Sequence, residues 1–199
     1  MSTAYVLVEY DGDQVLPITG ELITAAKVFE SVTAVVVGPA GAHEPLVPQL
    51  AALGADAIVA AVGADTAQRV VLPATDALSM LAAGAPGPIL VGAGVTGNEI
   101  AGRLAARLAS GVLCDVVQVN SDLTALMSIF GDAIEVSTAV GGSSPIYTMR
   151  HGATEVPAEP TPGAGVVSTF ELPAASEKDV IVTKFVPAVK GDRPDLTNA

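Results

Sequence analysis

The stretch PILVGAGVTGNEIAGRLAARLAS, residues 88–110, carries two structural signals in one short segment. The apolar run over 88–92 predicts a buried β-strand bounded by proline and glycine. After a glycine-rich turn, an apolar residue recurs at every fourth position, which predicts a helix over 98–110 with one apolar face. A strand, a tight turn and an amphipathic helix in this order are typical of the βα unit of a helix-covered sheet. The recurring apolar positions are Ile100, Leu104 and Leu108.

The same alternation runs through the first half of the chain. Three further runs rich in valine, alanine and isoleucine predict strands, and segments with helical periodicity lie between them. The predicted strands are 4–10, 33–37 and 57–62. The predicted helices are 45–53, 73–83 and one capped by Thr19, with Leu22, Ala25, Ala26 and Phe29 on one face. This order predicts an α/β fold with a mostly parallel sheet.

The pattern changes in the second half, where strand-like runs follow one another closely. Runs at 125–130, 133–140 and 145–150 are joined by glycine-containing turns, which predicts antiparallel or mixed strands towards the C-terminus. A Pro/Gly-rich stretch at 153–165 precedes two more strand-like runs, 166–172 and 180–186.

These patterns divide the chain into three parts. We expect an α/β core over 1–152, and a crossover with additional strands over 153–190 that packs on the core or on a partner. The last nine residues, 191–199, are interpreted as the start of a linker.

Composition excludes several classes of partner. The 199-residue chain has a formal net charge of -12 and a sequence pI near 4.3, so phosphate backbones and anionic lipids would be repelled. We therefore expect no nucleic-acid partner and no membrane insertion. A single cysteine and the lack of a signal-peptide pattern favour a reducing cytoplasm.

Gly92, Gly94 and Gly97 spell G-x-G-x-x-G between a predicted strand and a predicted helix, with Asp115 downstream. This spacing is typical of dinucleotide sites. The motif follows the fourth predicted strand instead of the first, however, which favours a purely structural glycine turn. A phosphate could still bind at the helix start, so Gly94, Thr96 and Gly97 form a possible phosphate loop.

The titratable residues do not suggest catalysis. His43 and His151 lie in predicted loops, and neither has other metal ligands at a recognisable spacing. Cys114 falls in an apolar run and is interpreted as a buried, inert thiol. Glu9, at the end of the first strand, is interpreted as a solvated carboxylate. We expect no catalytic residues and no metal site.

Several segments together resemble one family. TGNEIAGRLA (96–105) followed by SGVLCD (110–115) resembles the loop–helix–strand segment of electron transfer flavoprotein alpha subunits, in their N-terminal domain. The resemblance covers essentially the whole chain. Further similar segments are VLVE (6–9), ELITAA (21–26), SIFGDAIEV (128–136) and TMRHGA (148–153).

The resemblance implies a three-layer Rossmann-like, adenine-nucleotide-binding-like fold and an electron-carrier role. In such a protein, electrons pass from acyl-CoA and other dehydrogenases to the respiratory chain, and a beta subunit is the partner. It also implies that FAD in the complete protein is held mainly by a C-terminal domain, before which this sequence stops. No cofactor is then expected in this chain alone. The alternative left open is a stand-alone module that binds AMP or ADP.

Overall fold

A computed structural model describes residues 3–186 of the chain. The strands in chain order are β1 (Thr3–Leu7), β2 (Tyr10–Asp11), β3 (Gln14–Val15), β4 (Ser31–Gly38), β5 (Ala57–Val62), β6 (Arg69–Val70), β7 (Ile89–Gly92), β8 (Val112–Val119), β9 (Ala125–Ile129), β10 (Ile134–Thr138), β11 (Ile146–Met149), β12 (Val166–Glu171) and β13 (Val180–Ile181). The α-helices are α1 (Pro17–Ala26), α2 (Val47–Leu53), α3 (Leu72–Gly84) and α4 (Val95–Leu108). Short 3-10 helices cover Glu44–Leu46 and Thr66–Gln68.

Within residues 3–186, nine strands form one sheet in the order β10-β9-β8-β11-β7-β1-β4-β5-β12. The strands from β8 to β12 in this order run parallel, whereas β9 is antiparallel to both of its neighbours. The chain moves outward from β1 through β4 to β5 and then crosses back to β7 on the other side of β1. Open α/β sheets bind ligands where the strand order reverses in this way, between β1 and β7 here.

Helices cover both faces of the sheet. On one face α1 and α2 pack against the sheet, with Leu22 and Leu50 in the same buried cluster as Val6. On the other face α3 and α4 pack, and Leu78 and Leu104 join the cluster that contains Leu7. Neighbouring residues of one strand therefore serve opposite cores, as the alternation of side chains along a strand requires. The prediction of a three-layer α/β fold is confirmed.

The start of α1 differs from the predicted one. The helix begins at Pro17, and Leu16 at the cap position makes no side-chain cap hydrogen bond. Thr19 is fully buried inside the first turn, and its hydroxyl donates to the Glu9 carbonyl oxygen (3.0 Å) and accepts from the Glu9 N–H (2.8 Å). The prediction that Thr19 caps this helix is wrong, because its hydroxyl instead ties α1 to the chain leaving β1.

The second half is mixed. In the nine-stranded sheet β9 runs against both of its neighbours, β8 and β10, whereas β11 lies parallel between β7 and β8. β12 pairs in parallel with β5 at the edge of the large sheet, and β13 pairs antiparallel with β6 in a separate two-stranded sheet. The predicted linker over 191–199 lies outside the described residues.

Candidate functional site

A cleft opens at the carboxyl ends of β1 and β7, where the strand order reverses. Its volume is about 340 Å³, and the glycine loop between β7 and α4 forms one wall. The loop therefore lies beside the first strand of the sheet, although it follows a later strand in the sequence. The lining residues are Leu7, Glu9, Gly92, Ala93, Gly94, Val95, Thr96, Gly97, Ile100 and His151.

The glycines of this loop have steric reasons to be glycine. A Cβ at Gly97 would collide with the carbonyl oxygen of Gly92, so the start of α4 packs directly against the end of β7. Gly94, immediately before α4, has a φ of +152°, a conformation that side chains rarely adopt. Close packing of helix on strand is sufficient to explain the pattern.

Glu9 stands against the loop from the side of β1. Thr19 fixes the Glu9 backbone, and a Cβ at Gly92 would lie only 2.5 Å from Glu9 Oε1. The described residues that line the cleft include no lysine or arginine. The amides at the start of α4 favour an anion, but the nearby carboxylate would repel a phosphate.

A second cleft, of about 240 Å³, lies beside the first at the carboxyl ends of β1 and β4. Thr96 and Ile100 line both clefts, and Arg69 is the one cation among the described residues that line the second. A cation in this position suits an anionic ligand only where the guanidinium has no other partner.

Arg69 already has several partners. Its side chain is 1% exposed, and its Nε donates to Asp179 Oδ1 at 2.5 Å. Asp76 lies 3.3 Å and Asp65 3.5 Å from the guanidinium, which also donates to the Pro173 carbonyl oxygen. Burial lowers the pKa of Arg69, but the Asp179 hydrogen bond and the three carboxylate charges leave this pKa above its ordinary value. Arg69 thus anchors residues 173–182, the C-terminal strap.

A second arginine cluster lies at the other side of the sheet. Arg150, just after β11, donates to Asp115 Oδ2 (2.7 Å), Asp132 Oδ1 (3.0 Å) and the Ser128 carbonyl oxygen (2.7 Å). The Ser128 hydroxyl hydrogen bond, followed by Arg150, lowers the pKa of Asp132. Asp115, on β8, is bound to this arginine, and β8 lies two strands away from β7, which the glycine loop follows.

The structure separates the remaining candidate residues. His151 is exposed at the rim of the first cleft. His43 is half-buried before α2, and its Nδ1 has no hydrogen-bond partner among residues 3–186. Cys114 is exposed, so its predicted burial is wrong. The cause is an irregularity in β8, where Leu113 pairs with Tyr147 and Val116 with Met149, so that the residues between them bulge outward.

Residues 3–186 contain neither a metal-binding cluster nor a membrane-spanning helix. They contain no cluster of three or more His, Cys, Asp or Glu side chains that could hold a metal ion. In the same range, no helix combines the length and apolar character needed to span a bilayer.

Sequence reasoning missed Arg69 as an organising residue. Asp65 and Asp76, four residues before it and seven after it, were the local signal that it would be paired. Its shortest contact, to Asp179, spans 110 residues of sequence and left no recognisable pattern.

The strand order reverses between β1 and β7, and a glycine loop lies at this reversal. Together these features define a class of protein, the nucleotide-binding-like α/β domains. Comparison with known proteins gives the family. Residues 4–175 match the electron transfer flavoprotein domain model. The chain belongs to the electron transfer flavoprotein family, and the resemblance seen in the sequence is confirmed.

Several relatives carry the name electron transfer flavoprotein subunit alpha. The chain is 41% identical over 200 residues to the one from Mycobacterium leprae, covering all of this chain and 62% of the relative. It is 44% identical over 178 residues to the one from Mycobacterium tuberculosis H37Rv, covering 89% of this chain and 55% of the relative. A more distant relative from Syntrophomonas wolfei is 31% identical over 215 residues. The chain thus spans less than two thirds of the length of these relatives.

Proposed function

We propose that this chain is the N-terminal scaffold domain of an electron transfer flavoprotein alpha subunit. In the complete protein it pairs with the beta subunit and supports the FAD-binding domain. The assembly carries electrons from acyl-CoA and other dehydrogenases to the respiratory chain. The observation that carries this proposal is the similarity to alpha subunits along the whole chain.

FAD does not fit the cleft between β1 and β7. A dinucleotide brings a diphosphate that needs backbone amides and cations. Here the Glu9 carboxylate stands against the glycine loop, and Arg69 in the adjoining cleft is bound to three carboxylates. These contacts support a division of labour in which another part of the complete protein holds the flavin.

The pairing with a beta subunit is tested by co-expression. The chain and the beta subunit of the same organism are produced together, with an affinity tag on one of them only. An equimolar complex that stays together through size-exclusion chromatography is the expected result. Two proteins that elute separately would contradict the proposal.

The reducing cytoplasm is the proposed compartment, because the sequence contains one cysteine.

A module that binds AMP or ADP is the alternative, with phosphate held by Gly94, Thr96 and Gly97. The position of this loop at the strand reversal suits it, whereas the adjacent Glu9 carboxylate opposes it. Isothermal calorimetry of the chain with AMP and ADP separates the two functions. The scaffold proposal expects no heat of binding, and saturable binding would favour the module.

A further inference from the structure

The hairpin of β9 and β10 exposes apolar side chains at one edge of the sheet. Phe130, at its tip, is 80% exposed, and Ile134 and Val136 on β10 are 48% and 37% exposed. Within residues 3–186, β10 is the outermost strand and is paired on one side only, with β9. We call these three side chains and the free edge of β10 the hairpin surface. An exposed apolar edge of this kind invites pairing with another polypeptide unless something covers it.

The tip of the hairpin is held in one shape. Arg150 donates to the Ser128 carbonyl oxygen and to Asp132, and the Ser128 hydroxyl donates to Asp132 at 2.6 Å. Phe130 and Asp132 have φ values of 55° and 63°, which non-glycine residues adopt rarely. A bulky aromatic in a left-handed turn is an unusual choice where asparagine or glycine would fit. The bonds around Asp132 keep Phe130 presented outward, and such preorganisation favours binding.

The charges around the hairpin surface favour one kind of partner. Asp132 and Asp115 have side chains 74% and 52% exposed, and Glu135 is exposed between Ile134 and Val136. Arg150 pairs with two of these three carboxylates, so the surroundings remain acidic. A second copy would bring the same carboxylates and another net charge of -12. A partner whose apolar patch is rimmed by lysine and arginine is complementary.

We propose that the hairpin surface is the docking site of the beta subunit, which meets it with an apolar patch rimmed by basic side chains. The identity of this partner rests on the proposed function. The surface itself follows from the exposure and the fixed tip of residues 125–138, and from the charges of Asp115, Asp132 and Glu135 around it.

Two phenylalanines give a matched test. Phe130 and Phe185 are 80% and 81% exposed, and they lie at the hairpin tip and beyond the C-terminal strap. The dissociation constant of the full chain with the beta subunit is measured for the unmodified protein, Phe130→Ser and Phe185→Ser. Phe130→Ser is expected to weaken binding by at least about tenfold, and Phe185→Ser to leave it unchanged. Thermal melting of both variants checks that they fold equally well.

Charge reversal gives a second variant that does not depend on removing an aromatic. Glu135→Lys is expected to weaken the complex more at low salt than at high salt, because the lost attraction is electrostatic. Glu177→Lys on the C-terminal strap is the matched control, since Glu177 is also exposed.

The outcomes separate this inference from the proposed function. A complex that forms with Phe130→Ser as tightly as with the unmodified chain overturns the hairpin surface and leaves the partnership intact. Equal weakening by both phenylalanine variants also overturns it. If the unmodified chain forms no complex, the proposed function fails and the inference fails with it. A self-association of the chain alone that Phe130→Ser abolishes would assign the surface to a second copy and overturn the proposal.

Discussion

Two arginines each tie distant parts of the chain together, but in opposite environments. Arg69 is 1% exposed and joins the C-terminal strap to α3 through Asp179 and Asp76. Arg150 is 32% exposed and joins β8 to the tip of the β9–β10 hairpin through Asp115 and Asp132. The two clusters have similar chemistry, so the difference between them isolates the effect of burial.

An arginine–carboxylate pair stabilises the fold where it is buried and sets local shape where it is exposed. A buried charge that loses its partner is strongly destabilising, whereas an exposed pair contributes little to the free energy of unfolding. We infer that the Arg69 cluster holds the fold together and that the Arg150 cluster mainly sets the shape of the hairpin tip.

Arg69→Ala has the largest expected effect. It leaves the nearly buried Asp179 carboxylate without its counter-charge, so the free energy of unfolding should fall by about 3 kcal/mol. Urea unfolding measures this. Arg103→Ala is the control, because the Arg103–Glu99 pair on α4 is exposed and its loss should change little. An Arg69→Ala protein as stable as the control would contradict a stabilising role for the cluster.

Acid should loosen the C-terminal strap. Hydrogen bonding from the Ser176 N–H, together with Arg69, lowers the pKa of Asp179 below its ordinary value of 3.8. A carboxylate with a lowered pKa in the folded state stabilises the protein above pH 3.8, and this contribution disappears as the pH falls through the lowered pKa. Limited proteolysis with an acid-stable protease between pH 5 and pH 2 measures this. Cleavage within residues 173–182 is expected only near pH 2.

The control for the acid experiment is Asp179→Asn, which cannot titrate. In this variant the C-terminal strap should already be cleaved faster at neutral pH than in the unmodified protein. Acidification should then increase the rate of cleavage less. Equal pH dependence in the variant and the unmodified protein would show that Asp179 is not the titrating group.

Tyr147 is a buried hydrogen-bonding group near the start of the β9–β10 hairpin. Its hydroxyl donates to the Leu123 carbonyl oxygen at 2.7 Å, and burial raises its pKa to about 12. Because the folded state holds this proton more tightly than the unfolded state, Tyr147 contributes stability that is fully present below about pH 10. This contribution is lost as the pH rises towards 12. Tyr147→Phe should lower the free energy of unfolding by about 1 kcal/mol at pH 7. Stability should then fall less between about pH 10 and pH 12 than in the unmodified protein.

The alkaline transition is followed by tyrosinate absorbance and by circular dichroism. Burial also raises the pKa of Tyr5 and Tyr10, so tyrosinate formation should occur above the ordinary pH range for all three tyrosines. A normal titration near pH 10 with the protein still folded would contradict the burial of Tyr147.

Arg150→Met has the smallest expected effect on stability. The midpoint of urea unfolding should stay nearly unchanged, because the ion pairs are exposed. Hydrogen exchange at 128–134 should become faster, since the turn loses the bonds that fix it. A large fall in the free energy of unfolding would contradict this, and would show that the Arg150 cluster stabilises the fold as the Arg69 cluster does.

The sequence predicted the parts of the fold that depend on local patterns. The strand at 57–62 was located to the residue, and the apolar face of α4 was identified because Ile100 and Leu104 follow helical spacing. The family was recognised from segments spread along the whole chain.

The remaining features depend on contacts distant in sequence. Thr19 is a residue type that often caps helices, but its hydroxyl donates a hydrogen bond to the Glu9 carbonyl oxygen, ten residues earlier in the chain. Cys114 lies in an apolar run, but the bulge before Val116 turns it outward. The glycine loop follows the fourth predicted strand, and only the crossover from β5 to β7 brings it beside β1. Local periodicity contains none of this information.

The most direct test of the scaffold account is the visible absorption spectrum of the purified chain, recorded after incubation with excess FAD and removal of unbound flavin. The account predicts no flavin absorption bands, because the cleft at β1 and β7 presents Glu9 and no free cation among its described residues. Stoichiometric flavin retained by the chain alone would contradict it.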